Sequence, residues 1–359
     1  MIDRLAPSTG AMEGKGAYNR HAKHQASGGA IIVPLLERAI AAMGFDGERP
    51  IVIVDYGAAQ GKNSLGPMRK AIEGVRARVG VERAILIYHE DMPINDFNAL
   101  IETLHNDPES YVTNQSNVFP CAIGRSFYEQ VLPESSVDIG WSSYAAMWVS
   151  CVPMAVPGHF MPLRGPDAVR AAFERQLAAD WERFLWLRAR EMRAGGRLVV
   201  SIAGANDDGS FGFDDVVDQA NATLADMVAE GAITADERAR MVHGGLPRPL
   251  RDLVAPFERD PKFAGLTVER SEAYPVPDVA WDVFEKDGDR EALARARALF
   301  FRVTFAPTLA GALAAPDDLD RRRAFLDRVE YGLQRRLTDA PAPVRALIAA
   351  IVLVKGEAG

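Results

Sequence analysis

Residues 51 to 61 read Ile51-Val52-Ile53-Val54-Asp55-Tyr56-Gly57-Ala58-Ala59-Gln60-Gly61: an unbroken apolar run, an acid, then two glycines. A strand without polar alternation must be covered on both faces, which is the condition of a strand inside a parallel sheet. Glycines at its carboxyl end let the backbone approach a ligand where the next helix presents free N–H groups. This stretch therefore asks for an α/β fold with a nucleotide-type site at the end of the first strand. Two phosphate fingerprints fail on the residues themselves. The dinucleotide pattern G-x-G-x-x-G needs a glycine where Ala59 stands. The phosphate loop G-x-x-x-x-G-K-[ST] needs one more residue before Gly61 and a hydroxyl where Asn63 stands.

A turn with an acid and no phosphate signature suits S-adenosylmethionine, which carries a ribose and an ammonium but no phosphate; its methyltransferases use a D-x-G-x-x-x-G turn. The rest of the chain supports an alternating α/β core. Strand candidates at 84–88 and 137–141 follow the first, with a helical pattern at 65–79 between the first two, and a long amphipathic helix at 168–193 leads through Gly195-Gly196, read as a helix stop, into a strand at 196–201. Residues 1–17 are polar and Gly-rich, as in an arm that covers a ligand, and the chain turns helical from Tyr18. Between 206 and about 300 the patterns are mostly helical, broken by Pro-rich loops, and the tail holds a helix at 321–337 and an apolar run at 346–354 expected as an edge strand. The expected division is a Rossmann-like core of 1–205 and 310–359 with helices on both faces of its sheet, and an inserted α-helical cap of 206–309 that forms the substrate pocket.

Composition narrows the partners. A formal charge of -8 and a pI near 5.4 provide no basic field for nucleic acid or anionic membranes. The apolar run at 346–354 is far shorter than the roughly 20 residues that span a bilayer, and no leader pattern opens the chain, so a soluble, cytoplasmic protein is expected. Cys121 and Cys151 are too few for a disulfide framework and read as buried thiols.

Several ordered motifs resemble the SABATH family of plant-type carboxyl and N-methyltransferases. They are Tyr18 with Gln25 seven residues on; the turn Asp55 to Ser64; Glu90-Asp91-Met92-Pro93-Ile94-Asn95-Asp96-Phe97-Asn98; Gly124-Arg125-Ser126-Phe127-Tyr128, with one residue inserted; and Ser142-Ser143-Tyr144 through Trp148 to Ser150. The resemblance assigns S-adenosylmethionine as cofactor, held by Tyr18, Gln25, Asp55, Gly57, Asn63, Asp91, Met92, Ser126, Phe127 and Ser142. In physical terms Asp91 suits a ribose diol, Asp55 and Asn63 the amino-acid end, and Ser126 and Phe127 the adenine. Gln25 and Trp148 are the expected catalytic pair, orienting a substrate carboxylate through neutral N–H donors, with Tyr144, Met147, Val217 and Phe301 completing the substrate pocket. A carboxylate is ionised at neutral pH and needs no general base, so the expected reaction is methyl-ester formation on a small or medium apolar carboxylic acid. The alternatives are N-methylation of a heterocycle, or a catalytically idle cofactor-binding module. A homodimer follows from the resemblance alone. His21-Ala22 replaces the family's Asn-Ser, and His21 with His24 lacks a third ligand, so no metal is expected.

Overall fold

The computed structural model describes residues 23–45, 47–113 and 115–356, with side chains from residue 28 on. The strands are β1 (Ile51–Tyr56), β2 (Ile85–Asp91), β3 (Val118–Gly124), β4 (Val137–Ser143), β5 (Met192–Gly204), β6 (Leu266–Pro275) and β7 (Leu347–Lys355). The helices are α1 (Lys23–Ala41), α2 (Lys62–Val79), α3 (Phe97–Asn106), α4 (Asp167–Glu191), α5 (Asp214–Ala229), α6 (Ala235–Arg240), α7 (Leu250–Arg259), α8 (Val279–Asp287), α9 (Arg290–Thr304), α10 (Ala306–Ala310) and α11 (Leu319–Asp339).

All seven strands join one sheet in the order β3-β2-β1-β4-β5-β7-β6. β1 to β5 are parallel, while β7 runs antiparallel between β5 and β6. β1 is buried along its whole length, as its Val/Ile run requires. Its side chains alternate between two cores: Ile51 and Ile53 share one with Leu36 and Ile40 of α1 and Ile72 of α2, while Val52, Val54 and Tyr56 share the other with Trp181 and Phe184 of α4. The chain steps outward through β2 to β3, then returns to β4 on the other side of β1. Such a reversal opens a crevice at the carboxyl ends of the two strands it separates, and the loops after β1 and β4 meet there.

The elements differ from the sequence reading in four places. First, α4 stops at Glu191 and Met192 already pairs with Val137, so Gly195 and Gly196 stop no helix. They lie in an irregularity where the β4–β5 register shifts; Gly195 has φ 75°, and a Cβ on Gly196 would lie 3.0 Å from the Asp138 carbonyl. Glycine inside a strand marks a bulge as readily as a helix end. Second, β3 went unread because Pro120 interrupts it and its side chains are partly exposed, as an edge strand allows. Third, β6 lies within the segment expected to be a helical cap: its Glu269, Arg270, Ser271 and Glu272 suit an exposed edge strand, and it covers β7, which is interior. Fourth, α11 packs on α5 and α9 in a helical layer, not against the sheet alone. Cys121 and Cys151 are half-exposed. No described helix is long and apolar enough to cross a membrane.

Candidate active site

The turn after β1 is held in a demanding conformation. Gly57, Ala59 and Gly61 have φ of 87°, 48° and 85°, a region that L side chains with a Cβ disfavour. Gly57 is required on a second ground, since a Cβ there would lie 2.1 Å from the Cβ of Ala145 in the loop after β4. Ala59 tolerates its conformation because the next motif grips it on both sides: its N–H donates to Asp91 Oδ2 at 2.7 Å, and its carbonyl accepts from Asn95 Nδ2 at 2.8 Å. Asp91 Oδ1 accepts the Met92 N–H at 2.7 Å. Each Asp91 oxygen thus keeps a lone pair for one further donor. Burial pushes this carboxyl up to about 6 against the pull of the Ala59 and Met92 N–H groups. Glu90 beside it is fully buried, and burial raises its carboxyl well above the usual range, so it adds no second negative charge under the turn.

Asp55, expected at the cofactor's ammonium, is buried and committed through one oxygen: His89 Nδ1–H donates to Oδ2 at 3.0 Å. Burial holds the Tyr111 phenol protonated, so its O–H donates to His89 Nε2 at 2.7 Å. Oδ1 of Asp55 accepts from no described residue and is the less committed oxygen for a ligand. Nothing in the sequence marks this relay, because His89 and Tyr111 acquire meaning only through the β1–β2 register that sets Asp55 beside His89. Asn63 lies half-buried in the first turn of α2, where free N–H groups accumulate. Ser142, also expected as a cofactor contact, is fully buried and donates its hydroxyl to the Tyr56 carbonyl at 3.0 Å, which ties β4 to β1.

Ser126 and Phe127 sit on the loop after β3. Ser126 Oγ accepts the Tyr128 N–H, and Phe127 packs edge-on against Tyr128 and Phe184. A buried ion pair anchors this loop. Arg188 reaches the Phe127 carbonyl at 2.6 Å and the Glu129 carbonyl at 2.9 Å, while Glu191 accepts from Arg188 and Tyr56 and takes the Val131 N–H. Both residues stand outside every motif, inside a helix whose sequence reads as surface charge.

Next to the turn lies an apolar cavity of about 80 Å³, enough for several water molecules. Tyr144, Met147 and Trp148, expected to contact the substrate, line this cavity from the loop after β4. Tyr144 takes φ 58°, a strained value for an aromatic residue. Its hydroxyl lies so close to Gly28 of α1 that a Cβ there would be 2.0 Å away. Trp148 lies against Gly245, where a Cβ would be 2.9 Å from the indole, and its Nε1–H donates to no described residue. Behind it Tyr128 donates its hydroxyl to the Trp148 carbonyl at 2.5 Å. Val217 and Phe301, expected in this wall, are fully buried in the core and do not line it. On α9 the cavity face carries Phe300 and Thr304, one helical turn apart, whereas Phe301 points a third of a turn away and stacks on Phe305. Phe211, Phe213 and Phe305 supply the remaining aromatic wall, with Ala346 opposite. Tyr18 and the side chain of Gln25 lie outside the described residues.

Residues 6–241 match the family described as SAM dependent carboxyl methyltransferase. The chain belongs to that family. S-adenosylmethionine is therefore its cofactor class, in keeping with a turn that has no phosphate signature. Among relatives, it is 32% identical over 229 residues to methyltransferase LUC1 of a Fusarium species, covering 62% of this chain and 59% of that protein. It is 29% identical over 297 residues to the salicylate carboxymethyltransferase of Clarkia breweri, covering 78% of each. The matches to the Fusarium protein and to the related methyltransferase FUS9 of Gibberella moniliformis span 59% and 63% of those proteins' lengths. A solved structure of loganic acid methyltransferase with S-adenosylhomocysteine superposes with a TM-score of 0.79 at 20% identity, covering 96% of this chain and 99% of that one, which establishes a shared fold.

Proposed function

We propose that this methyltransferase family member transfers the methyl group of S-adenosylmethionine to the carboxylate of a small or medium apolar carboxylic acid, giving a methyl ester. The observation that carries the reading is an indole N–H, on Trp148, that finds no acceptor among the described residues at the wall of an apolar cavity whose described lining holds no effective base. The imidazole among the described lining residues, His243, is held neutral by burial, which pulls its pKa down to about 3 and makes it a poor proton acceptor. A carboxylate needs none, whereas acceptors that must lose a proton do.

The residues fit the cofactor. Asp91 keeps two lone pairs for a ribose diol, Asn63 and the remaining oxygen of Asp55 suit the amino-acid end, and Phe127 with Ser126 borders the side where adenine would lie. When bound, the cofactor supplies an electrophilic methyl on its sulfonium. The chain's own part is to align the acid: Trp148 holds one carboxylate oxygen, Gln25 the other by family resemblance, and the aromatic walls exclude water. In-line displacement rewards such alignment with the reacting atoms roughly 3 Å apart. A cytoplasmic homodimer belongs to the same proposal and rests on the resemblance alone.

The test uses labelled S-adenosylmethionine and a panel of carboxylic acids. Ester products labile to mild alkali are expected, and Trp148→Phe, which keeps a ring but deletes the N–H, should lower turnover on every acid while leaving S-adenosylhomocysteine affinity nearly unchanged. Products stable to alkali would move N-methylation ahead; binding of the cofactor without any product would favour an idle module.

A further inference from the structure

Among the described residues that line the cavity, polar side-chain atoms come from Tyr144, Trp148, Thr304 and His243. Tyr144 and Thr304 have partners within the protein, and Trp148 is assigned to the carboxylate. His243 stands apart. Its main-chain N–H is fixed to the Phe160 carbonyl at 2.9 Å, and its ring is wedged between Trp148, 4.8 Å away and nearly edge-on, and Phe305, 4.5 Å away. The residue is 2% exposed and Nδ1 has no hydrogen-bond partner among the described residues. A buried polar atom left unpaired costs free energy that a phenyl ring in the same slot would not. Packing therefore holds an imidazole where apolar contact alone would choose Phe, and a group bound in the cavity that this residue lines would satisfy it.

We propose that His243 determines acceptor specificity by hydrogen-bonding a hydroxyl on the apolar body of the acid, so that the preferred acceptors are hydroxylated apolar monocarboxylic acids. The inference rests on the carboxyl-methylation reading. A neutral imidazole carries one N–H and one bare nitrogen, and a hydroxyl can donate to the second or accept from the first. A half-turn of the ring about its Cβ–Cγ bond exchanges which edge faces the cavity without disturbing the stack. A second carboxylate would find one donor at most and no counter-charge in the aromatic wall, so dicarboxylic acids are disfavoured. Sites built to pair a substrate hydroxyl discriminate against the analogue that lacks it, because the protein's own polar atom is then stranded.

The experiment compares kcat/KM for matched acids differing by one hydroxyl, aromatic and aliphatic, in the parent protein and in His243→Phe. The parent should prefer the best hydroxylated member of a pair by about tenfold or more, and His243→Phe should bring that ratio to within about threefold of one. A parent that is indifferent to the hydroxyl, or a variant that keeps the preference, overturns the inference. Calorimetry with S-adenosylhomocysteine checks that the variant is folded. Should it not be, the parent labelled with ¹⁵N-histidine decides: an imidazole resonance must move on adding the hydroxylated acid and not its unsubstituted partner. If no acid is methylated at all, the proposed function fails; if acids are methylated without hydroxyl preference, only this inference does.

Discussion

Replacing Asp91 by Asn tests how the cofactor turn is held, because the change preserves shape and removes one acceptor. In the parent, Oδ2 takes the Ala59 N–H and Oδ1 the Met92 N–H, both at 2.7 Å. Asparagine has one oxygen, so its amide N–H₂ must face one of these donors. The structure says which loses more: Met92 is the adjacent residue, whereas Ala59 belongs to another strand's turn and is held at φ 48°. A hydrogen bond to a charged partner contributes about 1.5 to 3 kcal/mol, and at 1.4 kcal/mol per tenfold the expected loss of S-adenosylhomocysteine affinity is roughly 10- to 150-fold. The same carboxylate gives the parent a pH dependence. Burial raises Asp91 to about 6, and protonation turns one acceptor into a donor, so affinity should fall as pH falls through that value, by about tenfold at pH 5 relative to pH 7. The sign for the ligand-free fold is opposite. Because the folded pKa lies above the unfolded one, the ionised group opposes folding above about pH 6, and that cost fades as pH falls towards 4. Calorimetric titration of parent and Asp91→Asn from pH 5 to 8 measures both effects. An Asp91→Asn affinity within twofold of the parent at pH 7, or a parent affinity flat down to pH 5, would refute the reasoning.

Two further changes probe the scaffold. Gly245→Ala places a Cβ 2.9 Å from the Trp148 indole, so the ring must shift; kcat should drop for every acid, cofactor affinity should hold, and an unimpaired kcat would mean the indole's placement is not critical. Arg188→Met strands the fully buried Glu191 charge, which should cost about 3 to 5 kcal/mol of unfolding free energy, read by urea denaturation; restoration by adding Glu191→Leu would identify the stranded charge as the cause, and a loss below 1 kcal/mol would contradict it.

The sequence by itself determined the class of fold and the sharp turn after the first strand. A continuous apolar strand ending in Asp55, Gly57 and Gly61 has few ways to be buried, and the expected strands at 84–88 and 137–141 put Asp91 and Tyr144 just past a strand's carboxyl end, because strand and helix periods are local properties. Tertiary structure decided the partners. Asp55 meets His89 and Tyr111, Asp91 grips Ala59, and Ser142 turns to Tyr56 through strand register, which links residues far apart in the chain. It also decided which side of each helix faces the cavity: Phe300 and Thr304 are in the wall and Phe301 and Val217 behind it, a difference of one position that composition does not encode. Edge strands β3 and β6 escaped reading for the same reason, since an edge strand is defined by the neighbour it lacks, and only the assembled sheet supplies or withholds that neighbour.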